Sequence, residues 1–163
     1  YKVIANIPYY ITGMLFRLFL ENKNPPVRMV VLVQKEVAQR IAAHDKKESI
    51  LSLSIKAYGN PKIIEKVSRK MFSPEPSVDS AILLIADISK KFFQGFSEET
   101  FFLWIRAGFS QKRKKLIRNL EAVAPIATLQ KIFTLCNLDE NTRAEDLTLK
   151  DWEKILHLNS EVN

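Results

Sequence analysis

The sequence predicts an α/β protein in which a sheet with covering helices is followed by a small all-helical domain. Two short apolar runs, 2–5 and 28–33, are each followed by apolar residues at helical spacing. Alternating strands and helices are typical of βαβ units, whose strands are parallel and whose crossovers are right-handed. Beyond Ser89 only the helical periodicity continues. We therefore expect a first domain over residues 1–88 and a helical domain over residues 89–163.

The elements of the first domain follow from apolar spacing and turn residues. The run 28–33 is rich in β-branched residues and does not alternate, which is typical of a strand covered on both faces. Thr12 is a candidate helix cap, because apolar residues at helical spacing follow it. The last two strands are joined by a stiff segment with two prolines, and one of them is expected to be antiparallel. After the opening strand, the expected elements are a helix from residue 12, a strand over 28–33, helices over 36–43 and 50–58, and strands over 62–67 and 77–88.

The second domain is predicted to contain four helices. Ser97 followed by two glutamates is typical of a helix start, and Pro125 is typical of the residue with which a helix begins. The apolar residues that follow Thr148 share one helix face. The expected helices span residues 97–109, 114–123, 126–136 and 148 onwards.

Composition limits the class of protein. With 163 residues, of which 47% are hydrophobic, the chain is long enough for a packed core. No apolar run approaches the roughly 20 residues that cross a bilayer, so we expect no membrane partner. A single cysteine, Cys136, excludes an internal disulfide and is typical of the reducing cytoplasm, where we expect the protein.

The distribution of charge favours a polyanionic partner. The net charge is +7, and residues 89–138 hold nine Lys/Arg against three Asp/Glu, whereas residues 139–163 hold three against seven. Such a surface is typical of nucleic-acid binding, although a solvated helix face has the same composition. Spaced three apart on a helix, the basic residues at 112, 115 and 118 would form one ridge. We expect RNA phosphates to be bound by Arg106, Lys112, Arg113, Lys114, Lys115 and Arg118.

The segment IANIPYYITG, at 4–13, puts polar and aromatic groups where a buried strand ends. Open α/β sheets bind their ligands at the carboxyl ends of such strands. Pro8 keeps the preceding residue extended, so the Asn6 side-chain oxygen and the Pro8 carbonyl can both accept hydrogen bonds from one exocyclic amino group. The ring of Tyr9 offers a face on which a planar base can stack. The isolated tetrapeptide fits a structural role as well, with Asn6 capping a turn, Pro8 ending the strand and Tyr9 filling core.

Five segments spread over both predicted domains share one resemblance. They read NIPYYIT at 6–12, VLVQKEVAQRI at 31–41, FSPEPSVDSAIL at 72–83, RAGFSQKRKKLIRNL at 106–120 and RAEDLT at 143–148. In this order they resemble the ribosomal RNA adenine dimethyltransferases of the bacterial KsgA type. The resemblance implies the later part of a Rossmann-like class I methyltransferase sheet, followed by a small helical domain. It also implies S-adenosylmethionine-dependent dimethylation of N6 of two adjacent adenines, in a 3′-terminal hairpin of small-subunit rRNA, during ribosome maturation.

The resemblance implies catalytic roles for Asn6, Pro8 and Tyr9. Asn6 and the Pro8 carbonyl would hold the target amine, and Asn6 would also contact the cofactor. Tyr9 would stack on an adenine flipped out of the RNA, and Phe72 would close the pocket around it. With the amine held, in-line attack on a sulfonium methyl depends on positioning more than on a strong base. Ile7 and Tyr10 depart from the residues that are commoner in the family.

The family's Gly-rich cofactor loop and its ribose-binding acidic residue have no counterpart in this sequence. We therefore expect the main S-adenosylmethionine-binding residues upstream, and expect this chain alone to be inactive. The expected partner is small-subunit rRNA or the immature small subunit, bound by a monomer. Two alternatives remain: a non-catalytic RNA-binding module for ribosome assembly on the same fold, and an adenine methylase of large-subunit rRNA.

The remaining polar residues predict no metal site. His44 and His157 are far apart in the sequence and have no companion ligands. Cys136 falls in an apolar helical segment, where a core position is expected. Glu36 and Asp79 are expected to form ordinary salt bridges.

Overall fold

The computed structural model describes residues 1–43 and 46–162, and within them a sheet of four strands. The strands are β1 (Lys2–Asn6), β2 (Arg28–Gln34), β3 (Asn60–Val67) and β4 (Ser80–Ala86). Their order across the sheet is β1-β2-β4-β3. β1 and β2 are parallel, while β4 is antiparallel to β2 and to β3. The predicted parallel pair, the antiparallel strand and the α/β fold class are therefore confirmed.

The helices of the described residues fall into two groups. Those near the sheet are α1 (Thr12–Leu20), α2 (Lys35–Ile41) and α3 (Ile50–Lys56). Those after the sheet are α4 (Glu98–Gly108), α5 (Leu116–Leu120), α6 (Ile126–Cys136) and α7 (Leu149–Val162). No helix among these residues is both long enough and apolar enough to cross a membrane.

Local sequence explains several of the helix ends. Ser49 caps α3 reciprocally: its hydroxyl accepts from the Ser52 N–H at 3.1 Å, and its own N–H donates to the Ser52 hydroxyl at 2.7 Å. Ser97 caps α4 by accepting from the Thr100 N–H, as its position before two glutamates predicted. α6 ends at Asn137, which adopts the left-handed conformation with φ 55°.

Apolar residues form two clusters. The first lies under the sheet, where alternate residues of β2 such as Val31 and Val33 are fully buried with Leu83 of β4. The second surrounds Trp152 among α4 to α7. α3 lies between them, because Ile55 belongs to the first cluster and Leu53 to the second.

A small polar group joins the two clusters. The buried Tyr58 donates its hydroxyl hydrogen to the Glu98 carboxylate at 2.6 Å, and Lys90 forms an ion pair with the same carboxylate at 2.8 Å. Burial, together with the Glu98 carboxylate, raises the pKa of Tyr58 above its ordinary value. The ring of Tyr58 also lies 5.0 Å from that of Phe93. The start of α4 is therefore fixed against the sheet by both polar and aromatic contacts.

Thr12 is not the cap of α1, contrary to the sequence prediction. A 3₁₀ turn over Tyr9–Ile11 continues directly into the helix, so the residue before the first turn is Ile11. Thr12 instead donates its hydroxyl hydrogen to the Tyr9 carbonyl at 2.8 Å.

Candidate active site and nucleic-acid interface

β1 ends at Asn6, which lies opposite Leu32 in the parallel pair. Pro8 follows with φ −58° and ψ 134°, so the chain stays extended for two residues before the 3₁₀ turn begins. This is the stiff exit that a proline at this position predicts. It leaves the backbone and side chains of residues 6–9 at the carboxyl end of β1.

These residues line a cleft of about 170 Å³ together with a second segment of the chain. We call it the strand-end cleft; its lining consists of Asn6, Ile7, Pro8, Tyr9, Phe72, Pro74 and Pro76. The fold thus brings Phe72 beside Asn6, Pro8 and Tyr9, although more than 60 residues separate them in the sequence. Asn6 is exposed and Tyr9 only half-buried, so neither is a core residue.

The polar groups of the strand-end cleft differ in how many hydrogen bonds they already form within the protein. Among the described residues nothing forms a hydrogen bond with the Asn6 side chain, which leaves its amide oxygen available to a ligand. The Pro8 carbonyl accepts the Ile11 N–H at 3.2 Å and, having two lone pairs, can accept once more. The Tyr9 hydroxyl forms a 2.6 Å hydrogen bond with the hydroxyl of Ser80. Sequence reasoning missed Ser80, because nothing local to it indicates a partner 71 residues away.

The Phe72 side of the cleft is fixed by hydrogen bonds around Asp79. The Asp79 carboxylate accepts the Arg69 N–H at 3.0 Å, and the Asp79 carbonyl accepts the Lys35 N–H at the same distance. Asp79 also lies 3.9 Å from the Lys35 ammonium, the kind of ordinary salt bridge expected for it. Phe72 itself is extended and half-buried. The segment between β3 and β4 therefore holds the Phe72 ring beside the end of β1.

The basic residues predicted to bind RNA are all exposed, but they do not share a helix. Arg106 lies in α4 and Arg118 in α5, whereas residues 109–115 form a loop that we call the basic loop. The helix predicted over residues 114–123 is present but shorter, and the predicted ridge at i, i+3 spacing is wrong, because Lys112 and Lys115 precede the first residue of α5. The basic loop carries Lys112, Arg113, Lys114 and Lys115.

Packing under the basic loop explains why the helix is interrupted. A Cβ on Gly108 would lie 2.5 Å from the Trp152 ring, so α4 ends in close contact with α7. The buried Asn119 side chain then donates to the carbonyls of Gly108, at 2.7 Å, and Gln111, at 3.0 Å. Both carbonyls are satisfied without a continuing helix. The break between residues 109 and 114 was expected from the sequence, whereas the contacts of Asn119 that hold it were not.

Opposite charges are distributed unevenly over this surface. Lys115 lies 3.5 Å from Glu140, and Arg118 lies 2.7 Å from Glu121. In the described part of the chain, Arg106, Lys112, Arg113 and Lys114 form no ion pair. These four cations are therefore the ones best able to meet phosphates.

A larger cleft, of about 770 Å³, separates the sheet region from the basic loop. We call it the junction cleft; Arg40, Lys47, Lys112 and Phe109 line it with Glu36, Glu48 and Glu145. Its rim is tied by ion pairs of Lys47 with Glu145 and Asp146. The hydrogen bond between Lys47 and Asp146 raises the pKa of Lys47 and lowers the pKa of Asp146. The mixed charge makes this cleft less suited than the strand-end cleft to hold a neutral base.

Nearly the whole chain is similar to known proteins. Residues 1–160 match the family model described as Ribosomal RNA adenine dimethylase. The chain belongs to this family. The chain is 41% identical over 157 residues to Ribosomal RNA small subunit methyltransferase A of Dehalococcoides mccartyi, covering 95% of this chain and 54% of that protein. It is 34% identical over 160 residues to the protein of the same name from Fusobacterium nucleatum, covering 96% and 61%.

The chain thus spans little more than half the length of these relatives. Among solved structures it resembles the 23S rRNA methyltransferase ErmE, with a TM-score of 0.78 and 19% identity over 97% of this chain and 64% of that one. It also resembles a dimethyladenosine transferase from Plasmodium falciparum, with a TM-score of 0.74 and 23% identity over 95% and 65%. At these identities the likeness supports the Rossmann-like methyltransferase fold.

The described residues contain no group of three or more His, Cys, Asp or Glu side chains placed to hold a metal ion. His157 packs against Phe96, with ring centroids 5.2 Å apart. His44 lies outside the described residues. Burial raises the pKa of the half-buried Cys136, which therefore favours its neutral thiol.

Proposed function

We propose that the protein containing this chain transfers methyl groups from S-adenosylmethionine to N6 of adenines in small-subunit rRNA. In its finer form the proposal is dimethylation of two adjacent adenines in a 3′-terminal hairpin, as a step of small-subunit maturation. One observation supports it most: an asparagine amide, a proline carbonyl and two aromatic rings from distant segments meet at the end of one strand. The names of the small-subunit relatives supply the substrate class.

The strand-end cleft supports a mechanism based on positioning. The amide oxygen of Asn6 and the second lone pair of the Pro8 carbonyl accept the two hydrogens of the adenine amine. An aromatic amine is a poor nucleophile, because its lone pair is delocalised into the ring. Two fixed acceptors favour a more tetrahedral nitrogen and orient the lone pair along one line. The amine proton is lost after attack, so no histidine or carboxylate is required beside the cleft.

The aromatic rings of the strand-end cleft hold the base. Chemistry on a nucleobase requires that it leave its stack, and the lost stacking is replaced by protein rings. Tyr9 and Phe72 lie on the two segments that form the cleft, and both line it. Stacking on aromatic side chains contributes roughly 1–3 kcal/mol per base in comparable settings.

The cofactor supplies an electrophilic methyl group on sulfonium. Of the residues present here, only Asn6 is expected to contact it, and the exposed Asn6 amide at the end of β1 fits that contact. The residues that hold its ribose and amino-acid parts are expected upstream. We accordingly propose that residues 1–163 alone bind S-adenosylmethionine weakly and transfer no methyl group.

RNA is bound mainly outside the strand-end cleft. We propose that residues 89–163 form a domain whose basic loop, with Arg106 and Arg118, binds backbone phosphates and so directs the target adenine towards the end of β1. Such contacts position an RNA without reading its sequence. The protein is expected to act in the cytoplasm, as a monomer, on the immature small subunit.

Replacing Asn6 by alanine in the full-length protein tests the mechanism. Because one of two fixed acceptors is removed, methyl transfer to unmethylated small subunits should fall roughly 100- to 1,000-fold. Binding of the RNA hairpin should change less than twofold. Asn24→Ala is the matched control, because Asn24 is exposed and precedes β2 at the opposite end of the sheet. Full activity of the Asn6→Ala protein would exclude this mechanism.

The same assay separates the two alternatives. A non-catalytic assembly module would bind the small subunit but incorporate no labelled methyl groups, with or without Asn6. A large-subunit methylase would label 23S rather than 16S rRNA. Supplying both unmodified subunits in one reaction therefore distinguishes all three functions.

A further inference from the structure

A hydrogen bond to strand β4 holds the ring of Tyr9. Its hydroxyl lies 2.6 Å from the hydroxyl of Ser80, the first residue of β4. Ser80 is fully buried, whereas Tyr9 is only half-buried and faces the strand-end cleft. A phenol at an open cleft can form its hydrogen bond with water, so solvation alone does not require this partner.

Both the backbone carbonyl and the side-chain hydroxyl of Tyr9 form hydrogen bonds. Thr12 donates its hydroxyl hydrogen to the Tyr9 carbonyl at 2.8 Å, which fixes the backbone next to the side chain. The hydroxyl of Ser80 fixes the far end of the ring. With both ends held, rotation of the ring away from the cleft requires loss of a hydrogen bond. The stacking face is therefore preorganised before a base arrives.

Ser80 is itself held by its place in the sheet. It pairs with Gln34 of β2 on one side and with Val67 of β3 on the other. It also directly follows the segment that carries Phe72, whose last residue, Asp79, is bonded to the backbone of Lys35 and Arg69. Ser80 therefore links the Tyr9 wall of the cleft to the strand that anchors the Phe72 wall.

We propose that Ser80 is a positioning residue for methyl transfer, which fixes the position of the Tyr9 ring beside the target adenine through a hydroxyl–hydroxyl hydrogen bond. The inference rests on the proposed function and extends it to a residue that does not touch the substrate. Ser80 acts through Tyr9, so its effect must disappear when the Tyr9 hydroxyl is absent. It must also act after RNA binding, because phosphates are bound at a distance from it.

The test uses four variants of the full-length protein: Ser80→Ala, Tyr9→Phe, the double variant, and Ser52→Ala. Ser52 is the matched control, since it is also a fully buried serine in a hydrogen-bond network but lies in α3, away from the cleft. Steady-state kinetics with unmethylated small subunits give kcat and KM for each. In parallel, 2-aminopurine at the target position of a hairpin RNA reports stacking by fluorescence quenching.

Ser80→Ala and Tyr9→Phe should each lower kcat roughly three- to tenfold, with KM for the RNA unchanged. The double variant should be no slower than either single variant, because both remove the same bond. Quenching of bound 2-aminopurine should weaken in all three. Ser52→Ala should lower thermal stability but leave kcat and quenching as in the wild type.

Three outcomes overturn the role of Ser80 while leaving the proposed function intact: full kcat in Ser80→Ala, losses that multiply in the double variant, or an equal loss of kcat in Ser52→Ala. A wild-type protein that binds the small subunit but transfers no methyl group overturns the proposed function, and the role of Ser80 with it. Rescue by Ser80→Thr, which keeps the hydroxyl, would support the hydrogen bond over the volume of the side chain.

Discussion

In the strand-end cleft each wall is fixed to the sheet by hydrogen bonds, whereas in the basic loop 109–115 the side chains from Ser110 to Lys115 are exposed and only a few hydrogen bonds hold the backbone. Tyr9 is bonded through Ser80 to β4, and the Phe72 segment is bonded through Asp79 to the backbone at Lys35. The basic loop is attached through Asn119 on one side and through the Leu116 N–H, which donates to the Thr142 carbonyl at 2.8 Å, on the other.

The two regions are held differently because we propose different tasks for them: the cleft aligns a base, and the basic loop attracts phosphates. Stacking and amine alignment depend on distances of a few tenths of an ångström, so the groups that perform them must be ordered in advance. Attraction of phosphates depends on charge over about a Debye length, roughly 8–10 Å, and tolerates side-chain motion. Variants in the strand-end cleft should therefore change turnover, while variants in the basic loop should change affinity.

After Asn6→Ala, the largest effect is expected from the loss of an aromatic ring that lines the strand-end cleft. Phe72→Ala in the full-length protein removes one stacking face, so kcat should fall roughly 5- to 150-fold, the range that corresponds to one base stack. RNA affinity, measured by filter binding, should stay within about twofold of the wild type. Met71→Ala is the control, because Met71 is the adjacent residue and is 78% exposed. A large rise in Kd for Phe72→Ala would contradict the division of tasks.

Variants of the basic loop are expected to change RNA affinity and to leave turnover at saturating RNA unchanged. Replacing Lys112, Arg113 and Lys114 by alanine removes three cations that have no ion-pair partner among the described residues. The slope of log Kobs against log salt should become shallower by about 2–3, with kcat at saturating RNA unchanged. The matched triple variant replaces Lys23, Lys131 and Lys150, which are equally exposed but scattered. Equal slopes for the two triple variants would mean that net charge, rather than the loop, binds the RNA.

Asn119 anchors the basic loop, so its replacement should affect both the stability of the fold and the binding of RNA. Asn119→Ala leaves the carbonyls of Gly108 and Gln111 without a donor, at a cost of about 1–3 kcal/mol in the free energy of unfolding. Chemical denaturation should detect this loss, and RNA affinity should fall more modestly, because the cations remain. Asn119→Asp cannot donate either and should behave alike. A stable Asn119→Asp protein with normal affinity would show that the loop needs no anchor.

The smallest effect is expected at the rim of the junction cleft. The Lys47 hydrogen bond lowers the pKa of Asp146, so the pair stabilises the fold above the unfolded pKa of aspartate, about 3.9. That contribution is lost as the pH falls through the lower folded pKa. Asp146→Asn should therefore be slightly less stable than the wild type at pH 7 and indistinguishable from it near pH 2. A difference that persists in acid would assign the effect to packing.

The sequence predicted more of the strand-end cleft than of the basic loop. β1, β2 and the antiparallel strand followed from apolar runs and proline-rich turns, since strand pattern and φ restriction are local properties. The proximity of Asn6, Pro8 and Tyr9 is likewise a local property, because they belong to four consecutive residues and the proline among them restricts the backbone. The resemblance supplied Phe72, which no pattern of spacing connects to Asn6.

The helical ridge of basic residues was predicted incorrectly, because helix propensity is only a weak local preference. Residues 112–115 are good helix formers, yet the close contact of Gly108 with Trp152 ends α4, and the Asn119 amide satisfies the carbonyls that a continuing helix would have used. Both contacts join residues that are distant in the sequence. Charge itself was predicted correctly, since exposure of lysine and arginine requires no tertiary information.

By itself, the sequence determined the α/β class, the stiff exit from β1 and the positive charge of residues 106–118. Apolar periodicity, the fixed φ of proline and the solvation of ammonium groups act within a few residues of one another. Only the tertiary structure decided that Ser80 holds Tyr9, that Phe72 faces Asn6 and that the basic residues lie on a loop. Those contacts depend on which strands pair, and strand pairing is set by burial of the whole sheet rather than by any one segment.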